Sequence, residues 1–308
     1  AMIYGLLPTK IETANRHLQM GRLTIVELAT AAVTTIITIG LAAMLESAWA
    51  LVIGLILGSV VKVLMVSYWM PGPANRFRWD PDCVAELVRF GKWIMPSTVV
   101  GFVISQGDKA VLARLLTLTQ LGIYNIAFFL ASFPLMLGTT VISRVMIPLY
   151  RTAFEDPSAG HMRRVRIVRA ALTGSFMLLL ALLATFGEHL VVLLYDPRYA
   201  SAGPLVTLIA LASIPSLIGL SYDQAALAGG DSRGFFWVTL VRAVLFLSLF
   251  TLGGIQAGIP GALAGQALAA ILAYPMLVRI ARKHGAWDGL HDLTFGAVGL
   301  ILAAVLLV

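Results

Sequence analysis

Cysteine and charge are both scarce in this sequence of 308 residues. Cys83 is its only cysteine, which excludes a disulfide within the chain and any metal site that needs two thiolates. The five histidines lie at no spacing that puts two metal ligands on one helix, so we predict no metal centre. Charged residues make up 12% of the chain, against about 25% in soluble domains. Such a composition excludes an ordinary soluble domain.

The sequence also lacks the motifs on which several enzyme classes depend. It has no GxxxxGK[ST] phosphate-binding loop, which excludes an ATPase of that type within the chain, and no GxSxG or HExxH motif. A membrane glycosyltransferase or polymerase would present acidic residues in a large outer loop, where the only candidates are Glu188 and Asp196. We therefore expect no enzymatic activity and no cofactor, with a coupling ion left open.

Hydrophobic residues, by contrast, make up 59% of the chain, and its mean hydropathy is +0.90. Apolar runs of about 17–25 residues are long enough to cross a bilayer as helices, and such runs recur along the sequence. We predict an all-α integral membrane protein, a polytopic helical bundle with about nine transmembrane helices. The predicted spans are 24–45, 48–70, 93–115, 122–148, 168–187, 204–222, 234–252, 258–281 and 293–308.

Lysine and arginine predict the orientation of these spans. When the spans alternate, sixteen of the 22 cations fall on one side and only Arg198 falls on the other, so the basic side is cytoplasmic. The net charge of +7 is therefore a topology signal, and we predict no nucleic-acid partner. The stretch HMRRVRIVRA is expected to lie along anionic phospholipid headgroups. The sixteen are Lys10, Arg16, Arg22, Arg76, Arg78, Arg89, Lys92, Arg151, Arg163, Arg164, Arg166, Arg169, Arg233, Arg279, Arg282 and Lys283.

Five cations remain inside the predicted spans. A cation that faces lipid at a helix centre costs about 2.5–3.5 kcal/mol, so such residues usually face a bundle interior or a water-filled cavity. Snorkelling of the long side chain to the interface is the alternative for three of them, Lys62, Arg144 and Arg242. The five are Lys62, Lys109, Arg114, Arg144 and Arg242.

The stretch ISQGDKAVLARLL places polar residues deep inside one predicted span. Ser105, Gln106 and Lys109 stand at i, i+1 and i+4, so they share much of one helix face. A polar face with a positive end suits a pathway for an anionic polar substrate. Alternatively, Asp108 could form a local ion pair with Lys109. Asp223 is a borderline intramembrane carboxylate near the end of another span.

Two further features predict how the helices are arranged. The longest linker, residues 71–92, has a proline-rich start and an amphipathic end, which is typical of a cytoplasmic hinge between two bundles. The small-xxx-small pairs Gly54/Gly58 and Gly261/Gly265 predict close helix packing.

Several stretches resemble the oligosaccharide flippases of the polysaccharide-export family, which shares a superfamily with the multidrug and toxin exporters. The stretch FGKWIMPSTVVGFVISQGDKAVLARLLTLTQLGIYNIAFFLASFP carries that family's polar-Asp-Lys step and its LG-x-Y-x-x-A turn. VISRVMIPLY carries Arg144 four residues before Pro148, and LLYDPRYASAGPLVTLIALA and QAALAGGDSRG resemble later family stretches. Asp196 departs from the pattern, because the family usually has glycine there. The residues that match are Asp108, Lys109, Leu121, Gly122, Tyr124, Ala127, Arg144 and Pro148.

The resemblance implies a fold of about twelve to fourteen helices in two lobes. Residues 1–70 would be the remnant of an N-terminal lobe with its last two helices, and 71–92 the cytoplasmic inter-lobe linker. Residues 93–281 would form a C-terminal lobe of six helices, and 282–308 the start of an extra C-terminal helix. Because AMIYGLLPTK is typical of the tail of an apolar helix, we expect about four helices to precede this sequence in a longer protein.

The resemblance also implies a function, the flipping of a polyprenyl-diphosphate-linked oligosaccharide across the bacterial inner membrane for surface polysaccharide. Its partners would be the lipid-linked oligosaccharide, anionic phospholipid, a polysaccharide polymerase and glycosyltransferases. A cation-coupled multidrug or metabolite exporter and a non-transporting component of an export complex are the alternatives. The five cations inside the spans would attract the diphosphate, and Ser105 and Gln106 would contact sugar. The expected substrate-binding residues are Lys109, Arg114, Arg144, Arg242, Lys62, Asp108, Gln106 and Ser105.

Overall fold

The computed structural model describes residues 8–11, 20–47, 49–71, 80–156 and 159–307, and all regular structure in these ranges is helical. Eight of the described helices are long and apolar enough to cross a membrane. This confirms an all-α, multi-pass membrane protein. They are α1 (Met20–Leu45), α2 (Trp49–Trp69), α3 (Pro81–Leu115), α4 (Leu118–Glu155), α5 (Ala159–Leu194), α6 (Ala202–Ala228), α7 (Ser232–Lys283) and α8 (Gly289–Leu307).

The 52-residue helix α7 is a hairpin of two helical arms. Ala257 and Gly258 have non-helical backbone angles, and Gly258 has a φ of 62°, a conformation that favours glycine. A Cβ atom on Gly253, in the first arm, would overlap the backbone carbonyl of Gly261 in the second. The arms therefore run antiparallel and touch backbone to backbone near this turn. They correspond to the predicted spans 234–252 and 258–281, so each of the nine predicted spans overlaps a helical segment.

The chain divides into two compact units, Ala1–Pro81 and Asp82–Val308. Within the second unit, α6 is the most buried of the described helices, and it packs against α4, α5, α7 and α8. Small residues such as Ala210, Ala225 and Gly219 are buried along α6, which lets neighbouring helices approach closely where no hydrophobic effect drives them together.

The first unit contains α1 and α2, which pack along each other. Gly54 and Gly58 of α2 lie against the side chains of Thr38 and Thr34 in α1. The hydroxyl of Thr34 donates to its own helix at 2.7 Å and that of Thr38 does so at 2.8 Å, so this contact leaves neither hydroxyl unpaired in the membrane. The predicted close packing at Gly54 and Gly58 is confirmed.

Helix α3 begins at Pro81, twelve residues before the apolar span that starts at 93. Proline is favoured in the first turn of a helix because the backbone N–H that it lacks would have no partner there. The amphipathic end of the predicted linker is thus helical and continuous with the span. Residues 72–79, its proline-rich start, and residues 1–7 lie outside the described residues. The assignment of lobes stays a prediction.

Candidate functional site

A cavity of about 250 Å³ lies inside the second unit, between α3, α4, α6 and the two arms of α7. Most of its wall is apolar, as expected of a space at membrane depth. Six side chains with polar atoms line it, and they come from α4, α6 and both arms of α7. They are Thr139, Ser216, Asp223, Arg242, Gln266 and Tyr274.

An ion pair between Asp223 and Arg242 lines this cavity. Nη1 of Arg242 donates to Oδ2 of Asp223 at 2.6 Å, and both side chains are largely shielded. Asp223 lies five residues before the end of α6 and Arg242 ten residues after the start of α7, or about 8 Å and 15 Å along the helix axes. In the orientation predicted from the cations, the pair would lie in the cytoplasmic half of the membrane. The side chain of Arg242 turns to a carboxylate in the cavity and does not reach for the interface.

The predicted cluster around Lys109 lies near the C-terminal end of α3. Oδ2 of Asp108 accepts a hydrogen bond from the Tyr124 hydroxyl at 2.9 Å, and Oδ1 is buried with no hydrogen-bond partner among the described residues. The Lys109 ammonium lies 5.3 Å from the centre of the Phe128 ring. In the described part of α3, no salt bridge joins Asp108 to Lys109. The local ion pair considered from the sequence is therefore not formed.

The remaining predicted residues are spread over different surfaces. Ser105 and Gln106 are exposed on α3, and the Ser105 hydroxyl donates to its own helix at 2.9 Å. Arg114 lines a separate groove of about 580 Å³ between α3 and the first arm of α7. Arg144 is exposed on α4, and Lys62 is half-buried on α2 in the other unit. Of the eight predicted residues, the structure brings only Arg242 to the cavity.

Arg169, which the sequence predicts to lie along headgroups, is buried between α4, α5, α6 and the segment before α8. Arg169 is 1% exposed, and it donates to the Tyr150 hydroxyl at 2.6 Å and to the Ala286 carbonyl at 2.7 Å. Its guanidinium also stacks over the Tyr222 ring at 4.6 Å. The prediction that HMRRVRIVRA lies along headgroups is wrong for this residue. Its partners Tyr150 and Tyr222 are 19 and 53 residues away in sequence, so no local pattern indicates them.

The same polar network extends to α8 through Asp292. Oδ1 of Asp292 accepts from the Tyr222 hydroxyl at 2.8 Å, and Oδ2 accepts from the Tyr274 hydroxyl at 2.5 Å. Nδ1 of His291 lies 2.9 Å from the same carboxylate, and its Nε2 lies 3.1 Å from the Thr173 hydroxyl. The network ties α8 to α5, α6 and the second arm of α7. Among the described residues, no group of three or more His, Cys, Asp or Glu side chains could hold a metal ion.

Comparison with known proteins gives one family and several distant relatives. The sequence model of a family described as "Polysaccharide biosynthesis protein" matches residues 1–204. The lipopolysaccharide biosynthesis protein WzxC of Escherichia coli is 23% identical over 74% of this chain and 47% of its own length. The succinoglycan biosynthesis transport protein ExoT of Rhizobium meliloti is 26% identical over 68% of this chain and 42% of its own. The teichuronic acid biosynthesis protein TuaB of Bacillus subtilis is 23% identical over 67% and 43%.

These matches confirm the family resemblance found in the sequence. The chain spans about half the length of the curated relatives it matches.

Proposed function

Because the chain belongs to the family described as "Polysaccharide biosynthesis protein", we propose that it is part of a transporter that flips polyprenyl-diphosphate-linked oligosaccharides across the bacterial inner membrane. Three relatives are named for the biosynthesis of lipopolysaccharide, teichuronic acid and succinoglycan, and the last is named a transport protein. A lipid-linked sugar needs a protein route, since each hydroxyl would lose its hydrogen bonds to water in hydrocarbon at about 2–7 kcal/mol.

The observation that carries the proposal is the Asp223–Arg242 pair in a cavity at membrane depth. A guanidinium binds a phosphate through two parallel N–H···O hydrogen bonds, as it binds a carboxylate. In our proposal Asp223 therefore holds the guanidinium of Arg242 until a diphosphate competes for it. Thr139, Ser216 and Gln266 would donate to the same group or to the first sugar.

The size of the cavity limits what it can hold in this conformation. Its volume of about 250 Å³ is below the range of about 300–1,000 Å³ typical of small-molecule pockets. It would accommodate a diphosphate group and leave an oligosaccharide outside. We therefore propose that the sugar chain stays outside this cavity and that Lys109, Arg114 and Arg144 attract the diphosphate at other points of the second unit. Lys62 would do so in the first unit.

The proposal also includes the remaining predicted residues, the partners and the driving force. Asp108, Ser105 and Gln106 would contact the head group near the outer end of α3. Anionic phospholipid, a polysaccharide polymerase and glycosyltransferases would be the partners, and a coupling ion would supply the driving force.

The test is to replace Arg242 with glutamine in the chromosomal gene and to measure surface polysaccharide and the lipid-linked oligosaccharide left in the cytoplasmic leaflet. We expect Arg242→Gln to lower surface polysaccharide, relative to the amount of the protein in the membrane, at least tenfold and to raise the retained intermediate. Arg198→Gln removes an exposed arginine on the outer side and should leave both quantities unchanged.

A double variant separates substrate binding from a structural role. Removing one partner of a buried ion pair leaves an unpaired charge, which destabilises a protein by about 3–5 kcal/mol. The variant Asp223→Asn/Arg242→Gln leaves no unpaired charge. If the pair is only structural, the double variant should recover both protein level and polysaccharide. We expect it to recover the protein level alone, and recovery of both would overturn the proposal.

A further inference from the structure

A second and larger cavity lies on the cytoplasmic side of the first, between the two arms of α7. It is an open groove of about 990 Å³, which we call the cytoplasmic groove. Arg233 and Trp237 stand one turn apart on the first arm, and Pro275, Arg279 and Lys283 stand at i, i+4 and i+8 on the second. Each wall therefore carries cations at its cytoplasmic end and apolar side chains deeper in the membrane.

The groove exists because the two arms of α7 lie closer together near their outer turn than at their cytoplasmic ends. Near the outer turn, Gly253, Gly261 and Gly265 let the backbones touch. Nearer the cytoplasm the contact is between a side chain and a glycine, as where Ile280 reaches Gly234. Side chains therefore hold the arms apart at this end, and the space left between them opens to the surface of the unit.

The free positive charge in the groove comes from its two arginines. Burial would raise the pKa of Asp231, but hydrogen bonds from Lys283, from the Gly234 backbone N–H and from His284 outweigh it and hold that pKa below its ordinary value. Asp231 is therefore ionised, and it pairs with Lys283 at 2.6 Å. In the described chain no carboxylate pairs with Arg233 or Arg279. Both side chains are exposed.

We infer that the cytoplasmic groove is where the diphosphate of a polyprenyl-diphosphate-linked sugar first binds, between Arg233 and Arg279, with its prenyl chain along Trp237 and Pro275. The inference rests on the proposed function. A diphosphate diester carries one negative charge on each phosphate and so matches two arginines, whereas a phosphatidylglycerol headgroup carries a single charge. Guanidinium groups bind phosphates through charge-assisted, often two-pronged hydrogen bonds.

The groove leads directly to the cavity described above. Val238 lines the groove, and Arg242, one turn further into the membrane on the same face of the first arm, lines the cavity. On the second arm, Ile280 lines the groove and Leu277 lines the cavity. Arg242 lies nine residues beyond Arg233 on the first arm, so a diphosphate held by Arg233 and Arg279 would move at most about 13.5 Å along the helix to reach the Asp223–Arg242 pair.

The test is a binding titration on the purified chain in phosphatidylcholine nanodiscs, with undecaprenyl diphosphate as the probe. We expect Arg233→Gln/Arg279→Gln to raise the Kd for this probe at least tenfold. Wild type should bind undecaprenyl monophosphate more weakly than the diphosphate. The two substitutions should raise the Kd for the monophosphate by a smaller factor. The control Arg163→Gln/Arg164→Gln removes two exposed arginines on the same side of the membrane and should change the Kd by less than twofold. Thermal unfolding of each variant shows whether it is folded.

The outcomes separate this inference from the proposed function. If wild type binds the probe and the groove variant binds it equally well, the groove is not the site, while the proposal for Arg242 can still hold. If phosphatidylglycerol displaces the probe at equal concentration, the groove is a site for bulk anionic lipid and the inference is wrong. If wild type does not bind undecaprenyl diphosphate at all, both the groove inference and the proposed function are wrong.

Discussion

Arg169 illustrates how a single side chain can have a different role from the one that its position in the sequence indicates. It stands at the cytoplasmic edge of an apolar span, where the positive-inside rule accounts for it fully. Its side chain is nevertheless buried among Tyr150, Tyr222 and the Ala286 carbonyl. A buried guanidinium with these partners holds helices together. A buried hydroxyl or carbonyl that lost this hydrogen bond would be destabilising, because its removal from water would no longer be compensated.

We predict that Arg169→Gln lowers the free energy of unfolding by about 2–4 kcal/mol, since it removes the donors to the Tyr150 hydroxyl and the Ala286 carbonyl. The measurement is equilibrium unfolding in mixed detergent micelles. Arg163→Gln, an exposed arginine on the same helix, should change the free energy by less than about 0.5 kcal/mol. Equal effects of the two substitutions would show that the buried contacts add nothing to stability.

At this scale the sequence predicts which charges stand in apolar spans but not where each side chain points. Arg242 was predicted to contact substrate and does line the cavity, yet its partner Asp223 stands 19 residues away across a loop. Lys109 was predicted from the same kind of evidence; it lies over the Phe128 ring, outside this cavity, and its role stays a prediction. Hydropathy gives the cost of a charge in lipid. The partner that offsets this cost comes from another helix, and only tertiary packing reveals it.

At the scale of elements, the glycines of α7 are what distinguish a hairpin from a single long helix. Gly258 supplies a backbone conformation that other residues rarely adopt, and Gly253, Gly261 and Gly265 let the arms touch. The pair Gly261/Gly265 was predicted to permit close packing, and the structure confirms it. The motif alone could not reveal its partner, which is the backbone of the preceding span at Gly253 and Leu249.

We predict that Gly253→Ala destabilises the protein by about 1–3 kcal/mol, as overpacking does, because the new Cβ would overlap the Gly261 carbonyl. The same unfolding measurement tests it. Gly101→Ala is the matched control on α3, where a Cβ would meet nothing within 4 Å. There alanine should be neutral or stabilising by up to about 1 kcal/mol, since its helix propensity is higher than that of glycine. A Gly253→Ala variant as stable as that control would contradict the packing of the arms.

Apolar runs located every span but not the length of each helix. Helix α3 extends from Leu115 back to Pro81, and its first turns carry Asp82, Glu86 and Arg89, which the predicted span 93–115 leaves out. Amphipathicity of residues 81–92 was visible in the sequence and was interpreted as part of a linker. Whether such a stretch continues a helix depends on what it packs against, so the boundary could not be read from composition.

For the whole molecule, the orientation of the chain determines the meaning of every site. The cytoplasmic groove would face the leaflet in which lipid-linked sugars are assembled only if the ends of α6 and α7 at Asp231 and Lys283 are cytoplasmic. The distribution of cations is the argument for that orientation.

Cys83 offers a direct test of this orientation, because it is the only cysteine in the sequence and is exposed near the start of α3. We predict that a membrane-impermeant maleimide labels it in inverted membrane vesicles and not in intact cells with a permeabilised outer membrane. The variant Cys83→Ser/Arg198→Cys moves the thiol to an exposed position on the opposite side and should give the reverse pattern. Labelling of Cys83 from outside the cell would place the groove in the outer leaflet. The groove could then only release lipid-linked sugars, and Arg242 would act at the end of the pathway rather than near its start.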